Sequence, residues 1–281
     1  MSTARRAGIS TAKVGCWMST NDQREGSDVK LLELPGAKKF ESAEDERQHR
    51  KQMLAVALRI FARAGYDEGL AGHVTVRDPL HEDHFWVNPH GLHFSRVKMS
   101  DLVLVNGAGE VVIGSWGVNK VAFQVHSAIH RARPDVIAAA HTHTIYGRAF
   151  SAMGSMLLPI VQEACAFYND HVLYSDWDGL ILEDDQSRRI ARALGSKRAA
   201  ILQHHGLITV GGSVEEAAWW FITLDRCCQM QLVAQAAGTP LTLSPEQATV
   251  AHQQFGNPDV ARFSFEILAD MVMSEEPDVL G

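Results

Sequence analysis

The chain has 281 residues, of which 46% are hydrophobic and 21% are charged, a composition that predicts a folded protein with a core of its own. Its net charge of −7 gives no basic field for nucleic acid or an anionic membrane. No apolar run reaches the length of a membrane span, and the four cysteines lack zinc-site spacing. We therefore expect a cytoplasmic protein with reduced thiols.

The first 42 residues mix Ser, Gly, Lys and Glu without a sustained period, which predicts a tail or an arm. The pattern changes at Ser42, a hydroxyl cap followed by acidic residues. Apolar residues at steps of three and four then predict a helix that ends at Gly65.

Short β-branched runs between turn signals predict the next strands, at 73–77, 85–88, 102–105 and 111–113. A helix over 121–132 and a buried strand over 136–141 follow. Further helices are expected at 146–153, 185–194, 214–237 and 259–273, and further strands at 171–174 and 199–203. This order predicts one α/β domain, a central, mostly antiparallel mixed β-sheet with helices on both faces. We place its catalytic part at 43–240 and a C-terminal helical extension at 241–281.

Three histidines predict a metal site. His141 and His143 end a buried strand as His-Thr-His, and residues two apart on a strand project to the same side. His205 follows another apolar strand in a Gln-His-His-Gly turn. Three protein ligands with open positions are typical of a catalytic metal site. The alternative is a set of histidines in polar loops.

Five segments together resemble the class II aldolase/adducin superfamily over roughly residues 45–240: 71–77, 87–92, 126–135, 141–143 and 203–211. The resemblance implies a three-layer α/β/α fold. It also implies one divalent metal ion per subunit (zinc, iron or manganese) on His141, His143 and His205. Members of this family assemble as tetramers with active sites between neighbouring subunits, so we expect a homotetramer here.

The chain departs from the sugar-phosphate aldolases of that family at the start of one helix. Ala122 stands where they carry a metal-binding glutamate, and Lys120 and Val121 stand where they carry phosphate-binding serines. His73 replaces an asparagine of their Gly-Asn motif. Sugar-phosphate cleavage by the family's standard mechanism is therefore not expected.

A loop at residues 88–91 matches the family's anion-binding loop, in which Gly91 allows a ligand to approach the backbone closely. We expect substrate binding by Asn88 and Gly91, with His73 and Lys120 completing a carboxylate pocket. The alternatives are a structural hydrogen bond for His73, a solvated Lys120, and turn geometry alone for Gly91.

With Ala122 in place of the glutamate, proton transfer needs another group. Glu163 aligns approximately with a tyrosine that one aldolase subunit lends to its neighbour, so it is a candidate catalytic carboxylate on the adjacent subunit's metal. Tyr168 and His171 are further candidates. The respective alternatives are an ordinary surface or interface acid, a core aromatic residue and a structural histidine.

Three functions follow from these observations. The first is a metal-dependent lyase that cleaves a carbon–carbon bond beside a carbonyl, with a small hydroxy or keto acid as its substrate. The second is a non-haem iron oxygenase that decarboxylates an arylpyruvate or mandelate-like acid oxidatively, as one branch of the superfamily does. The third is a non-catalytic, adducin-like interaction protein.

Overall fold

An eight-stranded sheet forms the centre of the structure, a computed structural model that describes residues 34–176, 179 and 184–281. Its strands are β1 His73–Arg77, β2 His84–Val87, β3 Val103–Asn106, β4 Val111–Ile113, β5 Ala138–Thr142, β6 His171–Tyr174, β7 Ala199–Leu202 and β8 Gly206–Gly211. The spatial order is β4-β3-β2-β1-β5-β8-β7-β6. Neighbouring strands are antiparallel except β6 and β7, which are parallel. The predicted mixed, mostly antiparallel sheet is confirmed.

Seven α-helices are described: α1 Ala43–Arg63, α2 Lys120–Ala132, α3 Ile145–Ala152, α4 Asp184–Leu194, α5 Val214–Ala237, α6 Pro245–Phe255 and α7 Pro258–Glu275. Strand β8 and helix α6 were not predicted, whereas each predicted helix and strand has a counterpart. No helix in the described part of the chain is long and apolar enough to cross a membrane.

Alternation along the strands gives the sheet two apolar faces, each covered by helices. On β5, Ala139 faces a core cluster with α2 and α4, whereas Ala138 and Ala140 belong to a larger cluster with α1, α5 and α7. The larger cluster contains the buried Phe61 and Phe221, whose ring centroids lie 5.3 Å apart. The helices therefore form the outer layers of a three-layer structure.

Hydroxyl caps fix the starts of the two long helices. The Ser42 side chain accepts a hydrogen bond from the Asp45 amide at α1, and the Ser213 side chain accepts one from the Glu216 amide at α5. The Glu216 carboxylate accepts from the amide of Gly212. The hydroxyl cap predicted at Ser42 is therefore present, and Ser213 caps α5 in the same way.

Residues 34–281 form one compact unit, and residues 1–33 of the predicted tail lie outside the described residues. The C-terminal part contains α6 and α7 rather than one helix. Phe265 and Val272 of α7 are fully buried in the larger core cluster with α1 and α5. The segment after residue 240 therefore packs on the same core, and the boundary that we drew there remains a prediction.

Candidate metal centre

Strands β5, β7 and β8 bring the three predicted ligands together. Leu202 of β7 pairs with Gly206 of β8, so residues 203–205 form a tight reversal, in which His204 adopts a left-handed φ of 61°. Strand β8 pairs on its other side with β5, where Ile208 is opposite His141. His205 is thereby placed beside the end of β5, just where His143 follows that strand.

The three imidazoles face one another. Their ligand atoms all lie within 4.8 Å of one another, and the Nε2 atoms of His143 and His205 are 3.0 Å apart. Ring centroids are separated by 4.9 to 5.1 Å with interplanar angles of 79° to 87°. Two nitrogens bound at right angles about 2.1 Å from one ion are about 3.0 Å apart. The donor set therefore fits a divalent transition metal, and it includes no carboxylate among the described residues.

His141 is held in the tautomer that a metal requires. Its Nδ1–H donates to the carbonyl oxygen of Leu207 at 2.7 Å, which leaves the Nε2 lone pair for the ion. Burial lowers the pKa of His141 well below its ordinary value, lowers that of His143, and lowers that of His205 to about 4. The three rings are therefore neutral at physiological pH, which is the form that ligates metals.

A buried carboxylate supports the backbone just after His143. The Thr144 hydroxyl accepts a hydrogen bond from the Gly147 amide at the start of α3 and donates one to Asp225 of α5 at 2.5 Å. The Gly147 amide also donates to Asp225 at 3.0 Å. A Cβ on Gly147 would lie 2.5 Å from the Thr144 hydroxyl oxygen and 2.8 Å from the Leu207 side chain, so a larger residue here would displace this hydrogen-bonded hydroxyl.

A cavity of about 360 Å³ opens beside the three histidines. Its polar lining includes His73, His126 and Arg148, and apolar side chains form much of the remainder. These apolar residues are Leu70, Val121, Val125, Leu202 and Ile208. Arg148 is half-exposed and pairs with Glu68 at 2.6 Å. The cavity combines an arginine in an ion pair, an apolar wall and a candidate metal centre, as a pocket for a small organic acid would.

The predicted substrate-binding residues occupy three different positions relative to the cavity. His73 lines the cavity and is the cross-strand partner of His141, with ring centroids 5.5 Å apart. Asn88 and Gly91 line an adjoining cavity of about 20 Å³, which has room for a single water molecule. The Asn88 side-chain oxygen accepts a hydrogen bond from the Val74 amide at 3.1 Å. Lys120 is exposed at the start of α2, outside the described lining of either cavity.

The predicted catalytic residues do not reach this cavity from their own chain. Glu163 begins a 3-10 helix over Glu163–Phe167 and accepts a hydrogen bond from the Gln162 amide group. Tyr168 packs against a small cluster that includes Ala248 and Ala251 of α6. Glu163 therefore stays a prediction for a neighbouring subunit only, and Tyr168 has the packing of the core aromatic that we gave as its alternative.

His171 has a structural role, and we withdraw it as a proton carrier. Its Nδ1–H donates to the Phe167 carbonyl at 2.7 Å, and its Nε2 accepts from the Leu157 amide at 3.0 Å, so both ring nitrogens are occupied. It pairs with Ala199 at the first residue of β7, whereas the metal centre lies beyond the last residue of that strand. Three strand residues correspond to about 10 Å.

Two features of the site were missed in the sequence. Asp225 is an acidic residue, 2% exposed, inside the otherwise apolar middle of α5, and such a position predicts a buried hydrogen-bonding role. His126 and His130 are four residues apart and therefore share one face of α2, where both contact Thr75 of β1. The spacing of the two histidines was visible, but their common partner on β1 was not.

Comparisons with known proteins show which family the chain is similar to. A family model described as the class II aldolase and adducin N-terminal domain matches residues 52–232. The protein named decarboxylase NovR, from Streptomyces niveus, is 45% identical over 85% of this chain and 90% of its own length. The 4-hydroxy-3-prenylphenylpyruvate oxygenase/4-hydroxy-3-prenylbenzoate synthase of Streptomyces roseochromogenus subsp. oscitans is also 45% identical, over 85% of this chain and 87% of its own length.

Among solved structures, that of the L-fuculose 1-phosphate aldolase from Glaciozyma antarctica PI12 is similar to this one with a TM-score of 0.81. The two sequences are 41% identical, and the match covers 86% of this chain and 96% of that one. The similarity therefore extends well beyond residues 52–232 of the family match.

Proposed function

Because the chain belongs to the class II aldolase and adducin family, we propose that it is a divalent-metal-dependent enzyme that cleaves a carbon–carbon bond beside a carbonyl. Its proposed substrate is a small 2-oxo or 2-hydroxy acid with an aromatic or apolar side chain, which would lose its carboxyl group as carbon dioxide. The observation that carries this proposal is the group of three imidazoles whose ligand atoms lie within 4.8 Å of one another at the cavity.

Three histidines would bind the metal ion, and neighbouring groups would orient them. His141, His143 and His205 would hold the ion, with His141 oriented by the Leu207 carbonyl and the segment after His143 anchored on Asp225. When bound, the ion would supply a Lewis acid for the carbonyl or hydroxyl oxygen of a chelating acid.

The rest of the cavity would select the acid. Val125, Ile208 and Leu202 form an apolar wall that suits a ring or an alkyl group and excludes water from it. Arg148 lines the same cavity and pairs with Glu68, so a substrate carboxylate would bind to it by sharing or replacing that partner.

The start of α2 argues against a sugar-phosphate substrate. Val121 lines the cavity at a position where the aldolases carry a phosphate-binding serine, and Ala122 stands where they carry the glutamate. An apolar side chain offers no hydrogen bond to a phosphate. We therefore expect no cleavage of L-fuculose 1-phosphate, although a structural neighbour is named for that activity.

Oxidative decarboxylation by a non-haem iron form is the second candidate. A specific observation favours it: the relative that is 45% identical over 85% of this chain is named as an arylpyruvate oxygenase and benzoate synthase. The all-imidazole donor set suits iron as well as zinc or manganese.

One set of assays tests both candidates. Purified protein is analysed for zinc, iron and manganese, and then incubated with 4-hydroxyphenylpyruvate, 4-hydroxymandelate and L-fuculose 1-phosphate while carbon dioxide release and oxygen uptake are followed. A lyase releases carbon dioxide without oxygen uptake, and an oxygenase consumes oxygen as it does so. Cleavage of the sugar phosphate alone would contradict the proposed substrate class. Metal-free protein without activity on any acid would favour the adducin-like alternative.

We further propose a cytoplasmic homotetramer with its active sites between subunits. Two large apolar side chains near the metal centre support an interface there: Leu70 is 65% exposed and Ile145, two residues after His143, is 67% exposed. Glu163 would then act on the adjacent subunit's site. Light scattering of the purified protein gives the number of subunits. Glu163→Gln and His143→Ala proteins should each be inactive alone. Mixed oligomers of the two should regain activity only if Glu163 of one subunit acts on the metal ion of its neighbour.

A further inference from the structure

A chain of three hydrogen bonds runs from the protein backbone to the metal cavity through buried side chains. His130 Nδ1 lies 3.2 Å from the Val136 carbonyl oxygen, His130 Nε2 lies 2.9 Å from the Thr75 hydroxyl, and that hydroxyl lies 2.7 Å from His126 Nδ1. All three side chains are at most 1% exposed. None of them belongs to the metal-binding group.

The Val136 carbonyl oxygen, where this series of hydrogen bonds begins, determines which group donates and which accepts in each of them. A carbonyl oxygen can only accept, so His130 carries its proton on Nδ1. Burial lowers the pKa of His130 to about 3, so its Nε2 is an unprotonated acceptor and the Thr75 hydroxyl must donate to it. Having used its one proton, Thr75 must accept from His126, whose proton is therefore on Nδ1.

The remaining atom is His126 Nε2, which carries a lone pair. It is buried, it has no hydrogen-bond partner among the described residues, and its side chain lines the cavity beside the three metal ligands. The His73 ring contacts both parts of this cluster, with centroids 4.1 Å from His126 and 5.5 Å from His141. A buried acceptor without a partner costs free energy, which a ligand with a donor at that point would recover.

We propose that His126 Nε2 is a fixed hydrogen-bond acceptor of the cavity, which receives the hydroxyl proton of a bound 2-hydroxy acid or of the enol form of a 2-oxo acid. The proposal rests on the proposed function and makes its substrate class narrower. Thr75 and His130 are positioning residues, because they set the tautomer of His126 without reaching the ligand. A ligand that places an acceptor atom without a proton beside His126 Nε2 brings two lone pairs together, and we expect it to bind less well.

Binding of two matched acids tests the proposal. Zinc-loaded protein is titrated calorimetrically with 3-phenyllactate and with its methyl ether, 2-methoxy-3-phenylpropanoate, which differ in the hydroxyl proton. Wild-type protein should prefer the hydroxy acid by about tenfold or more, the effect of leaving a buried acceptor unpaired. His126→Phe should lose most of this preference. The affinity ratio of the two acids that the variant still shows measures the steric effect of the methyl group.

Two further variants separate the acceptor from mere packing. His126→Gln places an amide oxygen at this position and should keep part of the preference. Thr75→Val removes the hydroxyl that fixes the tautomer, so the preference should fall while the zinc content stays at one ion per chain. An unchanged preference in His126→Phe overturns the proposal, as does equal binding of the two acids, or binding of neither, by zinc-loaded wild-type protein.

A spectroscopic readout covers the case in which His126→Phe fails to fold. Nitrogen-15 spectra of zinc-loaded, histidine-labelled protein, assigned against His126→Gln or Thr75→Val, should show His126 with its proton on Nδ1. A proton on Nε2 overturns the proposal. If wild-type protein binds no zinc, the proposed function fails instead, so the two failures are distinguishable.

Discussion

Asp225 gives the sharpest test of how the fold supports the metal centre. Its Oδ1 atom accepts hydrogen bonds from the Thr144 hydroxyl at 2.5 Å and from the Gly147 amide at 3.0 Å, and the Tyr66 hydroxyl also bonds to this carboxylate. Asp225→Ala would leave the buried Thr144 and Tyr66 hydroxyls without this acceptor, whereas the Gly147 amide keeps its hydrogen bond to Thr144 Oγ1. At about 1–3 kcal/mol for each of the two unpaired groups, the expected loss is about 2–6 kcal/mol of the free energy of unfolding. Asp225→Asn retains Oδ1 and should cost about 1 kcal/mol.

The effect should extend to the metal because Thr144 directly follows His143. Groups that orient metal ligands are typically worth about 10–100-fold in metal affinity, and we expect a loss in that range for Asp225→Ala. Urea denaturation and a competitive zinc titration measure the two quantities. The exposed Asp270 of α7 is the matched control, and Asp270→Ala should change stability by less than about 0.5 kcal/mol. An Asp225→Ala protein with wild-type stability and wild-type zinc affinity would refute the reasoning.

Three other outcomes are expected. The fold lowers the pKa of His130 to about 3, so this histidine binds a proton more readily in the unfolded chain than in the folded one. As the pH falls from 7 to 5, metal-free protein should therefore lose about 2 kcal/mol of its free energy of unfolding from this group. Urea curves of His130→Gln at both pH values should lack this part of the loss, and an equal pH dependence in the two proteins would contradict it. Phe221→Ala should cost about 3–5 kcal/mol in urea denaturation because Phe221 is fully buried, whereas the half-exposed Phe263 should tolerate alanine. Chelation should lower the melting temperature of metal-loaded protein, with recovery on adding zinc or iron, since a ligand of the folded state stabilises it by mass action; an unchanged melting temperature would argue against a bound ion.

Much of the fold could be predicted because local patterns agreed with the tertiary structure. The Ser42 and Ser213 caps mark the starts of two long helices, and the continuous apolar run at 136–141 marks a central strand. Strand β8 was missed because its residues follow β7 after only three turn residues and resemble a loop in their Gly content. Helix α6 was missed because its polar sequence has only two buried residues, Ala248 and Ala251.

The candidate metal ligands could be predicted because strand geometry and the resemblance to the family both pointed to the same residues. The role that we assigned to Glu163 rested on an approximate alignment, and those of Tyr168 and His171 rested only on their nearness to it in the sequence. Their surroundings depend on long-range packing, such as the contact of Tyr168 with α6, that no local pattern encodes. The bonds of His126 through Thr75 needed the pairing of α2 with β1, which likewise appears only in three dimensions.

Metal content tests the central claim most directly. Inductively coupled plasma mass spectrometry of purified protein, loaded with zinc or iron and desalted, should give one ion per chain for wild type. His141→Ala, His143→Ala and His205→Ala should each lose the ion, because their ligand atoms form one group within 4.8 Å. His204→Ala, next to His205 but outside that group, should retain it. A wild-type protein without metal, or a full ion retained in all three ligand variants, would contradict the account.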